Sequence, residues 1–460
     1  MSRLVAVSNR VAVPERGQSA GGLAVGVLDA LRKHGGVWFG WSGEITDTEP
    51  SDPTVSKRGR VSFATIDLAR RDYERYYNGF CNNILWPLFH FQLGFFDYHR
   101  SQYDAYRRVN RLFARKLKRL LEPDDMIWVH DYHLITLAQE LRHAGAEQPI
   151  GFFLHVPFPG PEVLHALPVY LELLEALASF DVVGFQTSTD LDAFHRCIER
   201  DLDAQIYADG ACYARGRLFR ADYFPIGIDV EAVSKLAERA SASKTVARMV
   251  SSLRGRQLLI GVDRLDYSKG LPQRFQSFKR LLADYPDTRG KVVYLQIAPP
   301  SRTAVRAYDA IRLELEQAAG NINGQFADFD WVPLRYLNRG FARSTLMGFL
   351  RIGRVGLVTP LRDGMNLVAK EFVASQDPAD PGVLVLSTLA GAARELDAAL
   401  LVNPYDTYAV AQAVQRALHM ELDERRERMS SMLAMLTRNS IEAWRTRFID
   451  ALRASPRTGE

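Results

Sequence analysis

Leu258-Leu259-Ile260-Gly261-Val262-Asp263-Arg264-Leu265-Asp266-Tyr267-Ser268-Lys269-Gly270 is the segment from which the architecture can be read. Leu258–Asp263 is apolar on both faces and too short for a helix, the pattern of a central parallel strand covered on each side. A charged turn ending in glycine comes directly after it. In open α/β sheets ligands bind beyond the carboxyl ends of the strands, so a turn of this kind is where chemistry belongs. Arg264 and Lys269 can present a planar fork and a point charge to one diphosphate. Read without that position, they are a pair of solvated surface cations.

The same pattern recurs along the chain. Leu4–Ser8, Met126–His130, Ile150–His155 and Val182–Gln186 repeat it in the first half, and Val292–Ile297, Val355–Thr359 and Val383–Leu386 in the second. Helical patterns separate them, so the fold class is α/β with two Rossmann-like, doubly wound parallel sheets. The expected division is an N-terminal domain over 1–229, a polar helical connection over 230–256, a C-terminal domain over 257–440, and a last helix and tail over 441–460 that packs back on the N-terminal domain.

Composition limits the function classes. The 460 residues carry 58 Lys+Arg against 54 Asp+Glu, a formal charge of +4, too small for a nucleic-acid binder. Hydrophobic residues at 47% and charged residues at 24% are ordinary for a globular protein. Cys81, Cys197 and Cys212 are widely spaced, against a disulfide framework or a zinc cluster and in favour of a reducing compartment. The N-terminus lacks a signal-peptide core and no apolar stretch approaches the ~20 residues of a membrane span, so a cytoplasmic protein is expected.

Other strand ends supply further candidates. After Leu4–Ser8 come Asn9-Arg10 and then Gly21-Gly22, which open a helix and let backbone amides approach an anion. A tight turn explains such a pair equally well. No dinucleotide fingerprint or Walker A pattern occurs, against NAD and P-loop chemistry. His155 ends a strand before the stiff Pro157-Phe158-Pro159 turn and reads equally as a site residue or a core histidine. His130-Asp131-Tyr132-His133 could hint at a metal pair, but no acidic or cysteine partner stands at ligand spacing. Arg302 follows Val292–Ile297. Val355–Thr359 leads to Arg362-Asp363-Gly364-Met365-Asn366-Leu367-Val368-Ala369-Lys370-Glu371, where a turn, the first helical amides and two carboxylates can converge on a sugar nucleotide. An ordinary N-cap with a distant surface Glu is the plainer reading.

Asp72–Tyr98 is rich in aromatic residues, most of them core, with Tyr77 and Trp86 in a polar, irregular part that favours a sugar-facing role. The basic run Tyr106–Arg119 has apolar residues at helical spacing and reads as a solvated face of a packed helix. Asp190/Asp192, Asp201/Asp203 and Asp328/Asp330 mimic metal-binding Asp-x-Asp motifs, but none follows a strand in a Gly-rich loop, and they read as helix-cap and surface acids.

Taken together these motifs resemble glycosyltransferase family 20, the retaining GT-B transferases that make trehalose 6-phosphate. The match runs from Ser2 to about Ile449 through Val7-Ser8-Asn9-Arg10, Leu85-Trp86-Pro87, Val129–His133, Phe153–Pro159, Asp263–Gly270 and Arg362–Glu371. The resemblance implies two domains facing a central cleft. Gly21, Gly22, Arg264, Lys269, Phe341, Asn366, Leu367, Val368 and Glu371 would hold the donor, with Glu371 on the ribose. His155 and Asp363 would contact the donor glucose, and His155, Arg264, Lys269 and Asp363 form the implied catalytic set. Arg10, Tyr77, Trp86, Asp131 and Arg302 would hold glucose 6-phosphate. The implied reaction moves glucose from a nucleoside-diphosphate glucose, UDP-glucose expected, to glucose 6-phosphate with retention of configuration, needing no metal and no cofactor. The implied partners are small molecules, with no nucleic acid or membrane, in a homo-oligomer, a dimer or tetramer. Two rivals remain: a relative using another phosphorylated acceptor, and a catalytically silent sugar-phosphate sensor, although Arg264, Lys269, Asp363 and Glu371 are all present. No appended phosphatase domain is expected.

Overall fold

A computed structural model describes residues 3–13, 22–48, 51–300 and 306–455. The chain forms two compact units, Met1–Pro225 with Trp444–Glu460, and Ile226–Ala443.

Among the described residues the first unit has ten strands: β1 (Leu4–Arg10), β2 (Gly36–Thr46), β3 (Thr54–Arg58), β4 (Val61–Ala69), β5 (Met126–His130), β6 (Ile150–Phe153), β7 (Val182–Phe185), β8 (Gln205–Ile206), β9 (Ala211–Ala214) and β10 (Arg217–Tyr223). Their spatial order is β3-β4-β2-β1-β5-β6-β7-β10-β9-β8. From β4 across to β10 neighbouring strands pair in parallel, and among the described residues only the β3–β4, β9–β10 and β8–β9 pairs are antiparallel. Strands β5, β6 and β7 are buried along their whole length, as expected for strands covered on both faces. The register aligns Ser8 with His130 and His130 with Phe153, so the residues beyond these three strands emerge at one edge of the sheet.

The sequence left β2, β3, β4 and the β8–β10 ribbon unread. Val61–Ala69 alternates buried and half-buried residues, and β3 is exposed throughout, the pattern of a sheet margin.

The described residues of the second unit form six strands: β11 (Gln257–Val262), β12 (Val292–Ile297), β13 (Leu334–Leu337), β14 (Val355–Val358), β15 (Val383–Ser387) and β16 (Leu400–Val402), all parallel in the order β13-β12-β11-β14-β15-β16. Consecutive strands add outward in both directions from β11, and the turns after β11 and β14 lie side by side.

Residues 230–256, expected as a connection, form two capped helices inside this unit. Asp229 accepts from the Ala232 amide at 2.9 Å to start Val230–Ser241, and Ser243 accepts from the Val246 amide at 3.3 Å to start Lys244–Leu253. Their buried Val233, Ala237 and Val246 supply the apolar stripe that draws them onto the Arg343–Arg351 helix.

The last helix, Ile441–Arg453, brings Trp444 and Phe448 onto the first unit. Trp444 and Phe448 each lie 4.9 Å from the Trp128 ring, centroid to centroid. Gly151 on β6 and Gly184 on β7 make the seat, since a Cβ at either would come within 2.7 and 2.8 Å of the Phe448 ring.

Candidate functional site

In the second unit the turn after β11 is held from inside. Asp266 accepts from the Ser268 amide at 3.0 Å, the Ser268 hydroxyl at 2.9 Å and the Tyr308 hydroxyl at 3.0 Å, fixing a 3-10 turn over Tyr267–Lys269. Gly270 closes it at φ 65°, the left-handed region, where an added Cβ would stand 2.6 Å from the Thr359 carbonyl. Below lies fully buried Arg274, which donates to Asp263 at 2.7 Å, Gln296 at 3.1 Å, Thr359 at 3.1 Å and the Lys269 carbonyl at 3.1 Å. Burial pushes the Asp263 carboxyl up, and the Arg274 guanidinium opposes that.

The result is a rigid platform whose cations differ in setting. Lys269 is buried and its ammonium is hydrogen-bonded to Asp363, whereas Arg264 is exposed. Asp363 also accepts from Asn366 Nδ2 at 3.0 Å. Asn366 adopts φ 78° and its side-chain oxygen accepts from the Ala369 amide at 3.1 Å, so one residue makes the turn, caps the Leu367–Ser375 helix and steadies the carboxylate. Leu367 and Val368 form the half-buried first turn of that helix.

Glu371 stands one turn on. Arg343 Nη2 donates to its Oε1 at 3.1 Å, and burial raises its carboxyl above the ordinary value while Arg343 pulls it back. Phe341 follows β13, edge-on to Phe349 at 5.7 Å and beneath the Arg339 guanidinium at 4.9 Å. Lys370 faces the other way, fully buried, paired with Glu395 and donating to the Ile226 carbonyl at 2.7 Å.

In the first unit Arg10, Tyr77 and Trp86 join one aromatic belt. The Arg10 guanidinium lies 5.9 Å from the Trp41 ring, and Trp41 is 5.6 Å from Tyr77. Tyr77 stacks on His133 at 6.0 Å, His133 on Tyr132 at 4.0 Å, and Tyr132 lies 5.9 Å from Trp86. Tyr77 sits in a thirteen-residue π-helix, Tyr73–Leu85, a wide helical form that is rare in proteins and concentrated at functional sites.

Asp131 holds φ 76° and ψ 164°, a region nearly closed to residues with a Cβ, and its Oδ1 accepts from the His155 amide at 3.2 Å. His155 in turn places Nε2 at 3.2 Å from Nδ1 of His130. Burial drives the His155 imidazole down to about 3 and the His130 imidazole well below its usual value, so both are neutral.

Gly21 and Arg302 lie outside the described residues, and Gly22 opens the described Gly22–His34 helix. The aromatic neighbours Trp41 and His133, the Arg343 partner of Glu371 and the His130 partner of His155 were not singled out as site residues from sequence. Only the helical spacing of Tyr73 and Tyr77 and the strand-end position of His130 could have signalled them. The basic helix Arg100–Lys118 is tied down by Arg108 on Asp72 and by Arg107 and Arg111 on Glu140. Asp190, read among the helix-cap and surface acids, does stand in the first turn of the Ser188–Leu202 helix beside its cap Thr187, but it is buried and not at the surface: it accepts from the Thr187 hydroxyl at 2.5 Å and the Phe158 amide at 3.0 Å, which fixes the Pro157–Pro159 turn. Among the described residues no group of three or more His, Cys, Asp or Glu could hold a metal ion, and no helix is long and apolar enough to cross a membrane.

Comparison with known proteins gives concordant matches. The family model of glycosyltransferase family 20 matches residues 6–454. A trehalose-6-phosphate synthase of Klebsiella pneumoniae is 51% identical over 462 residues, covering 100% of this chain and 97% of the relative. A solved UDP-forming α,α-trehalose-phosphate synthase from Burkholderia xenovorans in complex with glucose-6-phosphate superposes with TM-score 0.95 at 50% identity, covering 98% of this chain and 100% of the other. An Escherichia coli structure described as trehalose-6-phosphate bound with UDP-2-fluoro glucose superposes with TM-score 0.94 at 49% identity, covering 98% and 99%. The α/β architecture with two Rossmann-like sheets, the GT-B class, is the one these structures share with the chain.

Proposed function

This chain belongs to glycosyltransferase family 20, and on that premise we propose that it transfers glucose from UDP-glucose to glucose 6-phosphate, releasing UDP and α,α-trehalose 6-phosphate. The observation that carries the reading is the likeness, over 98% of the chain, to solved structures bound with glucose-6-phosphate and with UDP-2-fluoro glucose.

The chemistry assigned to each residue follows from charge. Breaking the anomeric C–O bond puts negative charge on the departing diphosphate and positive character on the sugar ring. Preorganised cations lower the barrier most when they meet the leaving group, the role of Arg264 and Lys269. Lys269 reaches it already oriented by Asp363, and the first amides of the Leu367–Ser375 helix add their dipole. Glu371, held by Arg343, takes the ribose hydroxyls, and Phe341, Gly21 and Gly22 are the remaining residues assigned to the donor. Asp363 and neutral His155 bond the hydroxyls of the donor glucose. Arg10 and Arg302 bind the acceptor phosphate, with Tyr77, Trp86 and Asp131 around the acceptor sugar. The assigned residues include no carboxylate nucleophile, so retention proceeds by same-face attack, the departing phosphate oxygen taking the proton of the acceptor hydroxyl. No metal or cofactor enters the scheme, and the working form is a cytoplasmic homo-oligomer.

The test is incubation with glucose 6-phosphate and separate UDP-, GDP- and ADP-glucose, with product identification by mass and anomeric NMR signals. Trehalose 6-phosphate from UDP-glucose is the expected result. A different acceptor preference, or no transfer at all, would overturn it.

A further inference from the structure

His130 ends β5 opposite Phe153 of β6, and His155 stands two residues beyond that partner. The 3.2 Å contact between His130 Nδ1 and His155 Nε2 requires one nitrogen to carry a proton and the other a lone pair, so the tautomers of the two rings are linked. The far side of His130 sets the direction. Its Nε2 is buried and has no protein partner among the described residues, and its ring is packed by Trp128 at 4.5 Å and Trp444 at 6.4 Å. A proton on Nε2 would bury an orphan N–H among indole rings, whereas a proton on Nδ1 leaves only an unused lone pair. Orphan buried N–H groups are the rarer of the two.

We infer that His130 is a positioning residue: its Nδ1–H donates to His155 Nε2 and holds His155 as the neutral tautomer with its own proton on Nδ1, the nitrogen that then donates to a hydroxyl of the transferred sugar. The inference rests on the proposed glucosyl transfer for its last step. The main chain of His155 is tied separately, through its amide to Asp131 Oδ1 at 3.2 Å, so His130 governs the ring and Asp131 the backbone. Neither imidazole has to change charge during turnover. The pair supplies an oriented donor where a lone histidine would divide between two tautomers.

The test reads the tautomer directly. Two-bond proton–nitrogen NMR correlations on protein labelled with ¹⁵N-histidine, with the His155 signals assigned by His155→Gln, distinguish Nδ1-protonated from Nε2-protonated rings. The parent should show His155 protonated on Nδ1. His130→Asn, whose amide N–H stands where Nδ1–H was, should keep that tautomer, and His130→Leu should shift it toward Nε2. In the transfer assay His130→Leu should lose about tenfold in kcat, the worth of one hydrogen bond, with KM for glucose 6-phosphate little changed. His130→Asn should recover most of the loss.

An Nε2-protonated His155 in the parent, or an unchanged tautomer in a folded His130→Leu protein, would overturn the inference. If His130→Leu fails to fold, the parent and His130→Asn spectra still decide it. A parent with the expected tautomer but no trehalose 6-phosphate product would sink the proposed function and leave the tautomer relation standing.

Discussion

Arg264 and Lys269 carry the same formal charge, yet their surroundings separate what their loss should do. Lys269 and Asp363 form a pair whose side chains are only 11% and 14% exposed. Removing the ammonium strands a mostly buried carboxylate that keeps Asn366 as a partner. Lys269→Ala should therefore cost about 1–3 kcal/mol of stability as well as about 10²-fold in kcat. Arg264 is exposed, and Arg264→Ala should show a comparable fall in kcat with an unchanged melting temperature. Paired melting curves and kcat at saturating donor would sink the assignment if Arg264→Ala kept near-parental turnover. On the proposed assignment, in which these two cations and the helix amides serve the leaving group, transfer should also persist in excess chelator. Activity abolished by EDTA and restored by Mg²⁺ or Mn²⁺ would return attention to the Asp-x-Asp segments. The neutral histidines add a pH dependence with a definite sign. His155 and His130 have folded-state values below the ordinary histidine value, so stability is fully present above pH about 6.5 and is lost as pH falls toward the folded values, about 3 for His155. Urea unfolding at pH 7.5, 6.5 and 5.5 should show midpoints that drop with acidification, less steeply in His130→Asn. Equal slopes in the two proteins would contradict it.

The turn after β11 shows how an element turns local chemistry into site geometry. Gly270 is the one residue type that accepts φ 65° while its backbone presses on the Thr359 carbonyl, and it precedes the Leu271–Asp284 helix that carries Arg274. Gly270→Ala should cost at least about 1–2 kcal/mol from the left-handed strain alone, more with the 2.6 Å clash. It should also lower kcat by displacing Lys269, whose carbonyl Arg274 grips. Normal kcat in a destabilised Gly270→Ala protein would show that the turn supports the fold without aiming the cation. This element was legible beforehand because strand, charged turn and glycine are consecutive in the chain. The same holds for Asp363, Asn366 and Glu371, which one turn and one helix bring together. The features that stayed hidden depend on contacts between distant segments: His130 beneath His155, Arg343 on Glu371, and Trp41 between Arg10 and Tyr77. The π-helix escaped reading as well, since its wider turn is selected by packing against the Arg100–Lys118 helix and has no periodicity of its own. The edge strands β3 and β8 are short and offer no apolar run, as suits the margin of a sheet, and that removes the signal by which central strands are found.

At the scale of the whole chain, the second unit is one continuous segment and the first is not. Residues 226–443 contain all six strands of the second sheet, whereas the first unit needs Trp444 onward to finish its core. Trp444 is 1% exposed and Phe448 fully buried, and together they cover Trp128, Phe153 and Phe224. Arg445, 3% exposed at its side chain, pins the same helix to Asp29. Truncating a buried large aromatic costs about 3–5 kcal/mol, because the cavity cannot collapse onto strands already packed on both faces. Gly151 and Gly184 sharpen that, since neither residue beneath the Phe448 ring has a side chain with which to fill the space it leaves. Phe448→Ala should therefore weaken the first unit selectively. The expected outcome is faster proteolysis within residues 1–225, with a fragment spanning roughly 226–443 surviving as long as in the parent. Mass spectrometry of timed digests, alongside the loss of Trp128 fluorescence in urea, would follow each unit separately. If both units became labile together, the chain would be unfolding as one cooperative body and the first unit's dependence on its C-terminal helix would not be a property of that unit alone.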